Sequence, residues 1–151
     1  MKAIFLDRDG VINRAVVKNG RPYPPSSLDT LEILPGVKEG LERLHKAGYL
    51  LIVVTNQPDV ARGKMSKATV DGIHKYMMAN FPLDKILSCF HDDADQCNCR
   101  KPKPGALLNA AKEYKLDLNA CYMIGDRWRD VEAGQCAGCK TVFIGYGYDE
   151  K

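Results

Sequence analysis

No stretch of this 151-residue chain is long and apolar enough to cross a bilayer or to act as an export signal. The N-terminus offers only Ala3 to Leu6 before the first carboxylate, and Leu50 to Val54 is only a short aliphatic run. The expected location is therefore the cytoplasm. There is no Lys/Arg run, and a net charge of +3 names no polyanionic partner. With aromatics at 8%, neither a stacking platform nor a basic groove for nucleic acid stands out. Internal repeats and low-complexity tracts are absent, and 151 residues leave no room for a second domain of ordinary size. Residues 1–151 thus read as one domain whose 45% hydrophobic content can build a core without covalent staples. Because no export signal is evident, the six cysteines read as reduced thiols or metal ligands rather than as three disulfides.

What is present is organised around Phe5-Leu6-Asp7-Arg8-Asp9-Gly10-Val11. An apolar, strand-like run stops at two carboxylates spaced i, i+2, which an extended backbone projects to the same side. Two acids that close repel unless a proton or a cation separates them, and a hard divalent ion with oxygen ligands, Mg²⁺ by default, resolves the repulsion. Gly10 lets the backbone turn and approach a ligand closely. Taken alone, Asp-x-Asp-Gly after a strand also fits an ordinary turn. The rest of the chain has to decide.

Residues 11–33 lack clean periodicity and read as a long loop leaving the first strand; loops of that length are often functional. Val37, Leu41 and Leu44 mark one helix face between Pro35 and Gly48. Leu50–Val54, ending at Thr55, reads as a second buried strand. A polar loop over 57–64 follows. Ser66 then suits the N-cap of a helix burying Val70, Ile73, Met77 and Phe81, with Met78 as further core filling. A third strand is expected over 86–90, a helix over 104–114 burying Leu107, Leu108 and Ala111, and a strand over 122–124. A short helix over 131–137 and a final strand over 141–144 complete the pattern. Alternating strands and helices imply βαβ units and a mostly parallel sheet, an α/β Rossmann-like fold.

Parallel strands bring their C-terminal ends to one edge. Asp7 and Asp9, Thr55 and Asn56, and Asp126 with Asp130 can therefore share a pocket, to which Arg100 and Lys101 add positive charge. Carboxylates for a metal, a hydroxyl, an amide and a cation are what phosphoryl transfer requires.

With these residues in order, the chain resembles the haloacid dehalogenase superfamily of phosphatases over nearly its whole length. Asp7-Arg8-Asp9-Gly10-Val11 looks like its first motif, Thr55-Asn56 its second, Lys101 its third, and Gly125-Asp126-Arg127-Trp128-Arg129-Asp130 its fourth. Thr55-Asn56-Gln57, Ala61-Arg62-Gly63 and Cys99-Arg100-Lys101-Pro102 are similar to the small branch containing D-glycero-D-manno-heptose 1,7-bisphosphate phosphatases and histidinol-phosphate phosphatases. The resemblance implies a three-layer sheet without a cap domain and a two-step mechanism. Asp7 would be the nucleophile and Asp9 the general acid and base. Thr55 and Lys101 would hold the transferring phosphoryl group, with Lys103 as the alternative lysine. It further implies Mg²⁺ on Asp7, the Asp9 carbonyl and Asp126, with Asp130 behind them. Asn56, Gln57, Arg62, Arg100 and Arg127 are the implied substrate contacts.

Cys89, His91, Cys97 and Cys99 offer three thiols and an imidazole, a set suited to structural Zn²⁺, although a reduced-cysteine loop without metal also fits. The resemblance favours a zinc loop at 89–99 that fixes Arg100 and Lys101. Cys121, Cys136 and Cys139 read as small core residues, since Cys136-x-x-Cys139 does not open a helix where a thiol would be activated. His45 and His74 are expected at the surface or as satisfied core residues, and Trp128 either at the pocket mouth or packed.

The chain departs from the usual heptose pattern at Phe90, at Pro58-Asp59, in its shorter zinc loop and in Asn13–Tyr23. The implied function is removal of the 7-phosphate of the heptose bisphosphate by a monomer acting on a small phosphorylated metabolite, with no nucleic-acid or membrane partner. Histidinol phosphate, whose amine Asp59 or Asp92 could meet, and other small sugar phosphates are the alternatives. An inactive zinc-stabilised binding module is the alternative of a different class.

Overall fold

The short β-branched and aliphatic runs become strands, each followed by polar or glycine-containing turns. The computed structural model describes residues 1–91 and 97–148. Its strands are β1 (Ala3–Leu6), β2 (Val16–Lys18), β3 (Arg21–Tyr23), β4 (Leu50–Asn56), β5 (Lys85–Cys89), β6 (Tyr122–Gly125) and β7 (Lys140–Phe143). Its α-helices are α1 (Val37–Lys46), α2 (Lys67–Asn80), α3 (Gly105–Tyr114) and α4 (Trp128–Ala137). Five strands form one parallel sheet in the order β5-β4-β1-β6-β7, and β2 and β3 form a separate antiparallel hairpin.

Strand alternation divides the apolar residues between two layers. Ile4, Leu6, Leu51 and Val53 face Leu41 of α1 and Ile73 and Met77 of α2. Ala3, Phe5, Ile52, Val54 and Met123 face Leu107 and Ala110 of α3 and Ala137 of α4. The sheet is thus covered on both sides, the three-layer α/β arrangement expected of a parallel sheet. Among the described residues, no cap domain is inserted over its C-terminal edge. No described helix is long and apolar enough to cross a membrane.

Several elements behave as the sequence predicts. Ser66 accepts a bond from the Thr69 amide at 3.1 Å and starts α2. Gly48, at φ +91°, follows α1. Other expectations need correction. The loop over 11–33 contains the β2–β3 hairpin, turned by Asn19 and Gly20 with φ of 53° and 76°. Both values are positive, which is the tight turn that Asn-Gly favours. Leu108 is 45% exposed, and Ala110 rather than Ala111 completes the buried stripe of α3. Met78 is 42% exposed and only Met77 fills the core. Cys136 is exposed, whereas Cys121 and Cys139 are buried in the core. Helix α4 begins at Trp128, three residues earlier than predicted, so Asp130 lies in its first turn.

Candidate active site

The sheet order creates the site. From central β1 the chain proceeds to β4 and β5 on one side, then crosses to β6 and β7 on the other. The switch point lies at β1, and ligands of open α/β sheets bind beside the C-terminal strand ends at such a point. The Asp7 amide continues the pairing there, donating to the Ile124 carbonyl at 3.0 Å. Asp7 thereby meets Asp126, which follows β6. Gly10 adopts φ +85°, and a Cβ on it would fall 2.0 Å from Asp126 Oδ2. Only a glycine leaves room for that carboxylate.

Carboxylate oxygens of Asp7, Asp126 and Asp130 come within 4.8 Å of one another, and all three residues are buried. Neither Asp126 oxygen has a hydrogen-bond partner of good geometry, although the Tyr148 hydroxyl faces the carboxylate. Burial pushes Asp126 up to about 6. Burial also raises Asp7 well above the usual carboxylate range, with Asp130 adding to the rise and Lys101 opposing it. Poorly partnered, buried oxygens beside other carboxylates form a hard-oxygen donor set that suits a divalent cation. Asp130 is otherwise engaged: Oδ1 accepts from Lys101 Nζ at 2.6 Å and Oδ2 from the Arg127 amide at 3.1 Å. It braces the lysine and the start of α4.

Lys101 is 2% exposed. Its Nζ also donates to the Val54 carbonyl at 2.8 Å and stands 3.1 Å from Asp7 Oδ1. Although burial opposes it, the charges of Asp130 and Asp7 raise its pKa and hold it as a cation. Lys103 points elsewhere, donating to the Cys97 carbonyl at 2.6 Å. Asn56 lines the cavity yet commits its amide to the Lys101 backbone, giving to the carbonyl and accepting from the amide, each at 3.1 Å.

Asp9 turns to a second set of donors. Its Oδ1 accepts from Arg8 Nε at 2.9 Å and Asn13 Nδ2 at 3.0 Å, and its Oδ2 from Gln57 Nε2 at 3.2 Å. Gln57 also donates to Thr55 Oγ1 at 2.9 Å. Thr55 and Gln57 are each 1% exposed and lie behind the cavity wall, so Gln57 touches the acid rather than the opening. Sequence reasoning passed over Arg8, Asn13 and the buried role of His74. The only available signal was an arginine lodged between two candidate catalytic acids.

The cavity above these groups measures about 380 Å³. Arg62, Arg100 and Arg127, expected as substrate contacts, line it with Asp7, Asp9, Asp126 and Lys101. Arg21 and Tyr23 of the hairpin and Trp128 and Arg129 of α4 also form its wall. Trp128, 43% exposed, stands at the mouth. Asp59 lines the cavity with Arg62 Nη1 at 3.9 Å; Asp92 lies outside the described residues.

A second cluster stands beside the Arg100-Lys101 segment. Cys89 Sγ lies 3.6 Å from His91 Nδ1 and 3.5 Å from Cys97 Sγ, while Cys99 Sγ lies 3.5 Å from His91 Nδ1 and 3.7 Å from Cys97 Sγ. Ligands at tetrahedral Zn²⁺ stand about 3.5–3.8 Å apart, so four donors with these spacings fit that ion. Burial raises the Cys89 thiol. At Cys97 burial acts the same way, but hydrogen bonds from Cys89 and the Arg100 backbone outweigh it and lower the thiol to about 7. The cluster adjoins the catalytic edge through Arg100 Nη1, which donates to the His91 carbonyl at 3.3 Å. The backbone around Asn98 also packs on α3, where a Cβ on Gly105 would meet the Asn98 carbonyl at 2.2 Å.

The chain is similar to proteins whose chemistry is known. A D-glycero-β-D-manno-heptose-1,7-bisphosphate 7-phosphatase of Pasteurella multocida is 38% identical over 154 positions, covering 95% of this chain and 80% of that protein. The enzyme of the same name from Pseudomonas putida is 34% identical, covering 100% and 86%. The crystal structure of D,D-heptose 1,7-bisphosphate phosphatase from B. bronchiseptica, complexed with magnesium and phosphate, superposes with a TM-score of 0.85 at 36% identity, covering 97% of this chain and 83% of that one. The model of haloacid dehalogenase-like hydrolases matches residues 25–138. With the motif carboxylates at the switch point and Lys101 beside them, the chain belongs to the haloacid dehalogenase-like hydrolases.

Proposed function

We propose that this chain is a Mg²⁺-dependent phosphomonoester hydrolase that removes the 7-phosphate of D-glycero-β-D-manno-heptose 1,7-bisphosphate, as one domain with a zinc-binding loop at 89–99. The observation that carries the reaction class is Asp7 beside a buried lysine, at 3.1 Å, and beside an Asp126 whose oxygens lack partners of good geometry. The substrate rests on the names of the relatives and on the arginines lining the cavity, which suit a ligand carrying a second phosphate.

Asp7 Oδ1 already takes the Arg8 amide at 2.8 Å and Lys101, so Oδ2 is the oxygen that attacks phosphorus. As the O–P bond to Asp7 forms, the bond to the ester oxygen breaks and Asp9 gives its proton to that oxygen. A water then attacks the aspartyl-phosphate and passes a proton to Asp9, releasing inorganic phosphate and regenerating both acids. Lys101 holds the phosphoryl oxygens, while Thr55, set behind the cavity wall, accepts from the Gln57 that bonds Asp9. Mg²⁺, held by Asp7, Asp126 and the Asp9 carbonyl, supplies neutralisation of charge on the phosphoryl group. Zn²⁺ on Cys89, His91, Cys97 and Cys99 is structural, since four protein ligands leave no open position.

The test is phosphate release, with Mg²⁺ and with EDTA, from both anomers of the heptose bisphosphate, histidinol phosphate and common sugar phosphates. Mg²⁺-dependent preference for the β anomer, abolished in Asp7→Asn, is expected. Preference for histidinol phosphate would reassign the substrate and leave the mechanism standing. Release that survives Asp7→Asn would overturn the mechanism.

A further inference from the structure

Arg8 is 0% exposed, and its guanidinium lies wholly inside the protein between Asp9 and His74. On one side Nε and Nη2 each stand 2.9 Å from Asp9 Oδ1; on the other, Nη1 stands 3.0 Å from His74 Nε2. A guanidinium has only donors, so His74 Nε2 must accept. That places the ring proton on Nδ1, which donates to Ser88 Oγ at 3.3 Å. A chain of contacts therefore runs from β5 through α2 to Asp9. We propose that Arg8 is a positioning residue that fixes the Asp9 carboxylate for proton transfer, and that His74 serves as the neutral acceptor that allows this cation to be buried there.

Three observations support the assignment. Arg8 and Asn13 both converge on Oδ1, which leaves Oδ2, with its single bond from Gln57, as the oxygen able to exchange a proton with substrate. Arg8 does not line the cavity, so it acts only through Asp9. His74 is 9% exposed, and burial with the Arg8 charge beside it lowers its pKa to about 4, against the opposing pull of Asp9 and Asp71. It therefore stays neutral, whereas a charged ring would repel the guanidinium. The fork geometry excludes lysine as an equivalent, because one ammonium cannot serve a carboxylate and an imidazole on opposite sides.

The inference rests on Asp9 as the general acid proposed above, and its test separates the two. A positioned acid matters for an alkoxide leaving group and little for a nitrophenolate, which departs without a proton. In Arg8→Lys, kcat/KM for the heptose bisphosphate should fall by about 100-fold, the lower end of what general acid catalysis supplies, while kcat/KM for 4-nitrophenyl phosphate should stay within a few-fold of wild type. His74→Gln, whose side-chain oxygen can still accept from Nη1, should stay near wild type on both esters, and His74→Leu should follow Arg8→Lys. Should Arg8→Lys fail to melt cooperatively, the His74 pair decides. Equal losses on both esters, no loss on either, or identical behaviour of His74→Gln and His74→Leu would overturn the positioning role. Undiminished turnover of the heptose bisphosphate in Asp9→Asn would instead overturn the reading beneath it.

Discussion

The two clusters suited to metals are built in opposite ways. Asp7 lies more than a hundred residues from Asp126 and Asp130, and the three meet only because β1 and β6 pair and α4 starts where it does. Cys89, His91, Cys97 and Cys99 all fall within residues 89–99. The carboxylate cluster is a product of the fold, braced by a lysine, two backbone amides and a glycine that makes room. The thiol cluster adjoins the turn that carries Arg100 and Lys101, with Arg100 donating to the His91 carbonyl and Lys103 to the Cys97 carbonyl. It follows that loss of the ion should have different consequences at the two centres.

Removing the ion from the thiol cluster carries the largest expected effect. Stripping zinc with a zinc-selective chelator should lower the melting temperature by about 10 °C or more, since several kcal/mol are at stake at about 2–4 °C each for a chain of this size. Removing Mg²⁺ should move it much less while abolishing turnover. Equal shifts for the two ions, measured by calorimetry with metal analysis, would erase the distinction.

Gly10→Ala strikes the other centre. A left-handed backbone conformation costs a non-glycine residue about 1–2 kcal/mol, and the added methyl would occupy the place of Asp126 Oδ2. Mg²⁺ affinity, titrated through phosphate release, should fall by about 10–100-fold, as when the support of a ligand is lost, with zinc content unchanged. A fall in zinc content instead would mean that the clusters are not separable.

Asn56→Ala tests the link between them. If Asn56 acts by clamping the Lys101 peptide, loss of two hydrogen bonds at about 1 kcal/mol each should lower the melting temperature by about 4–8 °C and reduce kcat by about tenfold. A rise in KM with stability unchanged would make it a substrate contact only.

The same contrast explains what could be read in advance. Asp7 and Asp126 were legible because an apolar strand ends at each, and the thiol cluster because its ligands are neighbours in sequence. The β2–β3 hairpin escaped, although Asn19-Gly20 was a signal for it, because Val16, Val17 and Tyr23 are all exposed and Pro22 breaks any alternation. The start of α4 was hidden by its cap, Arg127, where serine or aspartate would have marked it. Arg8 and Gln57 were illegible as buried positioning groups, because a polar residue after a strand reads as facing solvent or ligand until the fold places an acid and a histidine around it. Leu108 and Ala111 were assigned inward because the helix phase was set without knowing which turn meets the sheet; Gly105, packed on Asn98, starts the helix and puts Leu107 and Ala110 inside.

The smallest effect concerns His74, a buried titratable group near the site whose side-chain partners, Arg8 and Ser88, belong to neither cluster. Its folded pKa, about 4, lies below the unfolded value near 6.5, so the native state favours the neutral ring. Above 6.5 both states are neutral and the full stability is present; as the pH falls from 6.5 toward 4, the unfolded chain gains a proton that the native chain refuses, and stability is lost. Between pH 7 and 5.5 this group alone should remove about 1 kcal/mol, or about 2–4 °C of melting temperature. Carboxylates titrate in the same range, so the quantity to measure is the difference between wild type and His74→Gln, which keeps an acceptor for Arg8 but cannot take up a proton. The wild type should lose about 1 kcal/mol more than the variant over that interval. Parallel curves would mean that the ring is charged in the folded protein, and a cation there could not sit 3.0 Å from Arg8 unless the arginine had turned away from Asp9.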